Sequence, residues 1–288
     1  MKTKILVTGS NGQLGNELRL LSAHLNHLSF VFTDVTELDI TQPEAVNEIM
    51  ESLQPQYLIN CAAYTAVDKA ESEKESAWKI NAIAPEILAN SARKTGTCLI
   101  HISSDYVFDG QNYRPYLPSH PTHPLSWYGK SKEGGEIAIM RSRVNAFIIR
   151  TAWLYSSFGS NFVKTIRRNA LQKQNLDVVS DQVGSPTWAA DLAEMILHVI
   201  IHRIEPEGVE ILHYTNEGVC SWYDFAISIV EHSDISCTIH PISSEQYPLP
   251  APRPFYSVLD KTNTRQRLNI EIPHWNASLK KCIQLLNE

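Results

Sequence analysis

The sequence has little of what marks a secreted, metal-binding or membrane-spanning protein. It contains only five cysteines among 288 residues, and none of them lies in a Cys-x-x-Cys pair. This usage argues against a disulfide framework or a zinc cage and favours reduced thiols. The apolar run at residues 5–7 is too short for the core of a signal peptide, and no stretch approaches the ~20 apolar residues of a membrane span. We therefore expect a protein of the cytoplasm that crosses no membrane.

An excess of positive charge is also absent. The chain has 25 basic and 31 acidic side chains, which gives a formal net charge of -6. Such a balance offers no general attraction to nucleic acid or to an anionic membrane, so we expect neither as a partner. Hydrophobic residues make up 43% and charged residues 19% of the chain, a composition that argues against disorder.

Short apolar runs typical of strands alternate with helical patterns through the first half of the chain. This alternation predicts βαβ units and a parallel sheet, that is, a Rossmann-type, doubly wound α/β fold in residues 1–150. Residues 151–288 are expected to form mainly a smaller C-terminal lobe, with segments near 176–200 returning to the sheet. The second helix is expected to open with a capping box formed by Thr41 and Glu44. Two proline-rich segments, 111–127 and 247–254, are predicted to be ordered loops.

A glycine-rich turn follows the first predicted strand directly. Its Gly-x-x-Gly-x-x-Gly spacing lets the backbone approach a pyrophosphate, and the helix that follows supplies free N–H groups and a positive dipole end. Three glycines in seven residues also suit an ordinary turn, but the position after an N-terminal strand favours a phosphate loop. The residues predicted to bind the pyrophosphate are Gly9, Asn11, Gly12, Gln13, Leu14 and Gly15.

Asp34 ends the second predicted strand, about where an acidic residue meets the adenosine ribose in dinucleotide-binding folds. A carboxylate there prefers a free 2′-hydroxyl and so indicates NAD, since the next basic residue along the chain is Lys69. The alternative is an aspartate that only caps a turn. Asp39 and Ile40, ahead of the second helix, are expected to contact the adenine, or else simply to end a loop.

A Tyr-x-x-x-Lys pair lies on a predicted helix after the fourth strand. Tyr128 and Lys132 share one helix face, and the ammonium is expected to lower the pKa of the phenol and make it a general acid for carbonyl reduction. Ser104, at the carboxyl end of that strand, is placed to bond the substrate carbonyl oxygen, although a serine there also suits a turn. Asp105 is either a substrate contact or a cap, and His101 is interpreted as a core histidine.

Longer runs resemble the extended short-chain dehydrogenase/reductase family over nearly the whole chain. They occupy residues 8–15, 60–71, 104–110, 128–132, 150–155, 161–162, 181–187 and 253–254. The runs at 67–71 and 105–110 are much more specific than the glycine loop. Within the family, the likeness is to the enzymes that complete dTDP-L-rhamnose synthesis. It implies reduction of the C4 carbonyl of dTDP-4-dehydro-β-L-rhamnose by hydride from NADPH, with NADH also accepted because of Asp34.

The resemblance implies roles for individual residues. Tyr128 would donate the proton, Lys132 would support it and bond the nicotinamide ribose, and Ser104 would stand where family members carry threonine or serine. The residues that would line the cofactor after the third strand are Ala62, Ala63, Tyr64 and Thr65. The residues that would meet the sugar nucleotide are Ser104, Asp105, Trp153 and Arg253.

The resemblance leaves some properties open. It admits a homodimer and a linking Mg²⁺, for which Glu194 or Glu288 would serve, but no ligand spacing in the sequence supports a metal site. Two alternatives to the implied activity remain: another extended reductase of nucleotide sugars, or a non-catalytic regulatory subunit that only binds NADP. The intact catalytic set argues against the regulatory subunit, because a pure binding protein has no need of it.

Overall fold

The computed structural model describes residues 2–287. The helices and strands of its first half are β1 (Thr3–Thr8), α1 (Gln13–Ser22), β2 (Leu28–Phe32), α2 (Pro43–Leu53), β3 (Tyr57–Asn60), α3 (Lys74–Trp78), α4 (Ala84–Thr95), β4 (Cys98–Ser104), α5 (Trp127–Ser142) and β5 (Ala146–Thr151). A π-helical turn at Lys79–Ile83 joins α3 to α4, and short 3₁₀ turns lie at Lys69–Glu71 and Asp105–Val107. The alternation of strands and helices predicted for this half is confirmed.

The second half contains shorter strands. Its elements are β6 (Leu154–Tyr155), α6 (Phe162–Gln172), β7 (Asn175–Val179), β8 (Val183–Gly184), β9 (Thr187–Trp188), α7 (Ala189–Ile201), β10 (Val209–His213), β11 (Cys220–Ser221), α8 (Trp222–His232), β12 (Thr238–Ile242), α9 (Thr262–Leu268) and α10 (Trp275–Asn287). A further 3₁₀ turn lies at Ser244–Gln246. Residues 2–287 include no helix that is long and apolar enough to cross a membrane.

The main sheet has six parallel strands in the order β2-β1-β3-β4-β5-β10. Successive residues of β1 bury against opposite layers: Ile5 and Val7 pack with the helices α1 and α7, and Leu6 packs with α2, α4 and α5. Helices therefore cover both faces, which is why the strands are almost continuously apolar. The predicted Rossmann-type, doubly wound α/β fold is confirmed.

The position of β1 between β2 and β3 creates the crevice in which such folds bind ligands. The chain leaves β1 towards β2 on one side and later continues from β3 to β4 on the other. The strand order therefore reverses at β1, and such a reversal marks the ligand crevice at the carboxyl edge of the sheet.

A second hydrophobic core lies in the smaller C-terminal lobe, among α6, α8, α10 and the parallel pair β7–β12. The return to the main sheet differs from the predicted one. Helix α7 does pack against α1, but the strand that joins the sheet is β10, whereas β7 pairs with β12. The burial of β7 alternates, with Leu176 buried and Asp177 exposed, as expected for a strand that is covered on one face only. The division of the chain near residue 150 stays a prediction.

The predicted capping box of α2 is wrong. The helix begins at Pro43 after Gln42, with no hydrogen bond from a capping side chain. The Thr41 hydroxyl instead donates to Asp39, at 2.7 Å. A proline at the first helical position lacks the N–H that is unsatisfied there and already has a helical φ, so this start has less need of a side-chain cap.

Candidate active site

A cleft of about 1140 Å³ lies at the carboxyl edge of the main sheet. The glycine loop after β1, the ends of β2, β3 and β4, the first turns of α5 and the segment after β5 all contribute to its walls. Open α/β sheets bind their ligands at this edge. Every predicted site residue lines the cleft except Tyr64 and Arg253.

The glycine loop fits closely against the chain that follows β3. Gly9 has a φ of +65°, and a Cβ atom there would lie 2.5 Å from the backbone nitrogen of Ala62. Gly15 is restricted in the same way, because its Cβ would lie 2.5 Å from the Cα of Ser10. The first turn of α1 has neither a capping side chain nor an acidic residue. Its N–H groups and dipole end thus suit an anion such as a pyrophosphate.

Asp34 fastens the glycine loop to the end of β2. Its carboxylate accepts hydrogen bonds from the backbone N–H of Asn11 at 2.9 Å and of Val35 at 2.8 Å. Asp39 lies in the same part of the cleft, and its pKa is held below the ordinary value mainly by hydrogen bonds from Thr41, with a smaller contribution from the ammonium of Lys79. Lys79 lines the cleft as well, and no sequence pattern indicates this because Lys79 is distant from the glycine loop along the chain.

Helix α5 brings Tyr128 and Lys132 to the end of β4. The hydroxyl of Ser126 caps the helix by accepting a hydrogen bond from the N–H of Gly129 at 3.1 Å. Gly129 also permits a close approach, since a Cβ there would lie 2.2 Å from the carbonyl oxygen of Tyr106. A glycine follows Tyr128 because α5 touches the backbone after β4 at this position.

The predicted lowering of the Tyr128 pKa is wrong, because the pKa of the phenol is raised. Loss of water around the phenol raises the pKa of Tyr128 to about 12; a hydrogen bond with Ser104 opposes this increase and the charge of Asp105 adds to it. The Lys132 amine donates to the carbonyl oxygen of Ile102, at 2.7 Å. Burial lowers the pKa of Lys132 to about 8, while the carboxylate of Glu136 acts in the opposite sense.

A buried ion pair holds α5 against the sheet one turn beyond Lys132. Glu136 accepts hydrogen bonds from the Nε of Arg150 at 2.9 Å and from its Nη2 at 2.7 Å, and also from the hydroxyl of Ser103. Arg150 donates in addition to the carbonyl oxygen of Pro118. Helix α5, β4, β5 and the proline-rich loop are thereby joined in one network, which no pattern in the sequence indicates.

Asp105 lines the cleft and has one unused acceptor. Burial raises the pKa of its carboxyl to about 6, against hydrogen bonds from Ser257 and Ser104. The hydroxyl of Ser104 donates to Oδ1 at 3.0 Å, whereas Oδ2 is buried and has no hydrogen-bond partner among the described residues. An acceptor of this kind is suited to a hydroxyl donor on a ligand.

Trp153 meets a second tryptophan at the far end of the cleft. The indoles of Trp153 and Trp222 are stacked, with ring centroids 3.6 Å apart and planes inclined by 10°. Both line the cleft, so the first residue of α8 brings the C-terminal lobe into the site. The sequence analysis missed Trp222, because nothing in the local pattern of α8 distinguishes a cleft tryptophan from a core one.

Tyr64 and Arg253 are engaged outside the cleft. The hydroxyl of Tyr64 donates to Glu73 at 2.7 Å. Arg253 donates to both carboxylate oxygens of Asp68, at 2.8 Å each. The family motifs identify these two residues but do not indicate where their side chains point. The prediction that they line the cleft therefore differs from the structure.

His101 is a core residue, as interpreted from its strand. Its side chain is fully buried, and its Nδ1 lies 3.0 Å from the Nδ2 of Asn60. Burial lowers the pKa of the imidazole well below its ordinary value. Among residues 2–287, no group of three or more His, Cys, Asp or Glu side chains is arranged to hold a metal ion. Glu194 lies in α7, whereas Glu288 lies outside the described residues.

Comparison with known proteins gives matches over nearly the full chain. The family described as RmlD substrate binding domain matches residues 3–288. A curated relative, the dTDP-4-dehydrorhamnose reductase of Aggregatibacter actinomycetemcomitans, is 38% identical over 285 residues, which cover 96% of this chain and 97% of the relative.

Two solved structures have nearly the same fold. The crystal structure of a dTDP-4-dehydrorhamnose reductase from Clostridium acetobutylicum has a TM-score of 0.94 and 42% identity, and the match covers 99% of this chain and 100% of that one. The enzyme of the same name from Bacillus anthracis, solved in complex with NADP, has a TM-score of 0.94 and 35% identity with the same coverage.

Proposed function

We propose, from the premise that the chain belongs to the RmlD substrate binding domain family, that it reduces the C4 carbonyl of dTDP-4-dehydro-β-L-rhamnose to give dTDP-L-rhamnose, with a hydride from NADPH or NADH. The observation that carries the proposal is the single cleft that joins the glycine loop to Ser104, Tyr128 and Lys132. A protein that only bound a nucleotide would have no need of a phenol, an amine and a hydroxyl at one end of it.

The chain offers a fitting place for the dinucleotide. The uncapped first turn of α1 and the glycine loop would hold the pyrophosphate, and Asp34, Asp39 and Ile40 would lie along the adenosine half. Ala62, Ala63 and Thr65 would line the opposite wall. When bound, the nicotinamide supplies the hydride. The B. anthracis relative binds NADP, and Asp34 favours a free 2′-hydroxyl, so we propose that this chain uses both cofactors.

The proton is supplied by the protein. The pKa of Tyr128 is raised to about 12, so the phenol carries its proton at neutral pH before the substrate binds. The hydroxyl of Ser104 would donate a hydrogen bond to the C4 oxygen, and Tyr128 would pass its proton to that oxygen as negative charge develops there. The ammonium of Lys132 would then stabilise the phenolate that is left.

The sugar nucleotide would occupy the other end of the cleft. The free Oδ2 of Asp105 would accept a hydrogen bond from a sugar hydroxyl, and the indole of Trp153 would pack against the ring. We propose that residues 1–150 mainly bind the cofactor and 151–288 mainly the sugar nucleotide. Arg253 would contact the substrate through N–H groups that its ion pair with Asp68 does not use.

The proposal is tested by the absorbance of reduced nicotinamide. NADPH is mixed with the protein and, in turn, with dTDP-4-dehydro-L-rhamnose and with keto forms of other nucleotide sugars. We expect the fastest loss of absorbance with the rhamnose precursor. Faster loss with a different sugar would identify the chain as another reductase of the same kind. Tight binding of NADPH without any loss of absorbance would indicate a regulatory subunit.

Location and assembly are further proposals. All five cysteines are free thiols, which fits the reducing cytoplasm. We also propose a homodimer that needs no metal ion for turnover. Sedimentation velocity would measure the oligomeric state. If a chelator abolishes both turnover and the dimer, the proposal of a metal-free enzyme is wrong.

A further inference from the structure

Trp153 has a backbone conformation that few residues other than glycine adopt. Its φ is +49°, in the left-handed region, which is unfavourable for residues with a side chain. Non-glycine residues are held in such a conformation when the surrounding structure determines it, and they occur often in ligand sites. The indole is half-buried and lines the cleft, so the structure around it must fix the direction in which it points.

Two neighbours fix that direction. Trp222 stacks on the indole with centroids 3.6 Å apart. The backbone of Gly184 lies against the six-membered ring, since a Cβ at this position would be 2.8 Å from Cε2 and 2.9 Å from Cζ2 of Trp153, and also 2.8 Å from the hydroxyl of Ser257. Trp222 and the backbone of Gly184 thus form a clamp that still leaves Trp153 lining the cleft.

The two parts of this clamp belong to one rigid unit. Gly184 lies in β8, which pairs antiparallel with β11 through Cys220. Strand β11 leads directly into α8, whose first residue is Trp222. Ser221 and Asp224 form a capping box that fixes the first turn of α8. The distance between the Gly184 backbone and the Trp222 indole is therefore set by strand pairing and by a helix cap.

We propose that Trp222 and Gly184 are positioning residues that hold the Trp153 indole against the sugar of the bound nucleotide. The proposal rests on the proposed function, because it takes the ligand at this end of the cleft to be a hexose. The face of a 6-deoxyhexose carries C–H groups and a methyl group, and such a face packs on an indole as other apolar surfaces do. Neither Trp222 nor Gly184 is assigned any part in proton transfer.

Substitutions at the two positions test the clamp. For Trp222→Leu and for Gly184→Ala we expect the KM of dTDP-4-dehydro-L-rhamnose to rise about three- to tenfold, as lost aromatic packing of ~0.5–1.5 kcal/mol predicts. The KM of NADPH and the kcat should change less than about twofold, within the scatter of neutral substitutions. Trp222→Phe, which keeps a stacked ring, should restore most of the affinity for the sugar nucleotide.

The matched control is Tyr223→Leu. Tyr223 is half-buried on the same helix and packs into the core of the C-terminal lobe without lining the cleft. Tyr223→Leu should lower the melting temperature about as much as Trp222→Leu does, while the KM of the sugar nucleotide and the KM of NADPH stay unchanged. The proposal is overturned if Trp222→Leu leaves the KM of the sugar nucleotide unchanged, or if Tyr223→Leu raises it equally.

Failure of the proposed function has a different signature. If the wild-type protein does not oxidise NADPH with dTDP-4-dehydro-L-rhamnose, the proposed substrate is wrong. The same variants are then compared by calorimetry with dTDP-L-rhamnose and by circular dichroism in the near ultraviolet, where two stacked indoles give a coupled signal. Loss of that signal in Gly184→Ala, together with weaker binding of the sugar nucleotide, supports the clamp. Retention of the wild-type signal and affinity rejects it.

Discussion

Tyr128 holds its proton more tightly than a tyrosine in water does, because its surroundings raise the pKa of the phenol to about 12. We expect Tyr128→Phe to lower kcat by about 10²–10⁴-fold, the usual contribution of one general acid, while nucleotide affinity is preserved because the ring still packs. Steady-state kinetics and calorimetry measure the two quantities. Tyr113→Phe, at an 82% exposed tyrosine, is the control and should be neutral. Normal turnover by Tyr128→Phe would remove Tyr128 from the mechanism.

Asp34 serves two purposes that substitution can separate. Its carboxylate accepts a hydrogen bond from the N–H of Asn11, and it would also meet the adenosine ribose. We expect Asp34→Asn, which keeps an acceptor, to shift the preference from NADH towards NADPH by up to about tenfold, or ~1.4 kcal/mol. Asp34→Ala should shift the preference similarly and weaken both cofactors, because the glycine loop loses its anchor. Equal ratios of Michaelis constants in all three proteins would show that Asp34 does not contact the ribose.

The sequence identifies a site residue only where the residue belongs to a short motif of fixed spacing. The glycine loop and the pair Tyr128 and Lys132 have fixed spacings within one turn or helix, so they could be predicted. Lys79, Glu136 and Trp222 approach the site only through contacts between distant elements, so no spacing pointed to them. The direction of the Tyr128 pKa shift was missed for the same reason, because burial is a property of the fold.

Helix α5 is the element that carries the proposed proton donor, and its first turn is held from outside. The backbone N–H of Trp127 donates to the carboxylate of Glu71 at 2.7 Å. We expect Glu71→Ala to lower the free energy of unfolding by about 1 kcal/mol, as the loss of a helix cap does, and to lower kcat because Tyr128 occupies that turn. Urea denaturation measures the first effect. Glu75→Ala, an exposed site on α3, is the control. An equal loss of stability in both variants would contradict this role of Glu71.

At the scale of elements, the alternation of apolar and helical patterns was enough to predict the strands and helices of the first half. It was not enough to identify β10 as the sixth strand, because β7 and β10 are equally short and only their pairing distinguishes them. The start of α2 was also mispredicted, since Pro43 and a capping box are both helix-start signals and the sequence contains both. Pairing and capping are decided by contacts beyond the local sequence.

The site as a whole is assembled from both halves of the chain. Asn161 donates to Gln13 of the first helix at 2.9 Å, and the ion pair between Arg253 and Asp68 spans the same two halves. The two ends of the cleft, proposed to bind the cofactor and the sugar, are therefore joined by contacts that depend on the complete fold.

The stability of the whole molecule should depend on pH through a buried histidine. Burial lowers the pKa of His213 from 6.5 to about 3, and the charge of Arg150 adds to this effect. An unfolded chain takes up this proton near pH ~6.5. Between those two values the unfolded state binds more protons than the folded state, so the free energy of unfolding falls as the pH decreases through this range and is at its full value above it.

Lowering the pH from about 7.5 to about 5 should decrease the urea midpoint of both proteins. We expect the decrease to be smaller in His213→Gln than in the wild type, because one of the protonations that favour unfolding is removed. Comparing the change within each protein cancels any loss of stability caused by the substitution itself. His24→Gln, at an exposed histidine, should behave like the wild type. An unchanged pH dependence in His213→Gln would contradict the assigned pKa.

The central claim is tested most directly with NADPH that carries deuterium at the reactive carbon of the nicotinamide. The position of the deuterium in the product identifies the carbon that is reduced. The protein is incubated with this cofactor and dTDP-4-dehydro-L-rhamnose, and the product is analysed by NMR and mass spectrometry. The account predicts dTDP-L-rhamnose with deuterium at C4, formed by the wild type and almost absent with Tyr128→Phe. Deuterium at another carbon, or full oxidation of the cofactor without a deuterated sugar, would contradict it.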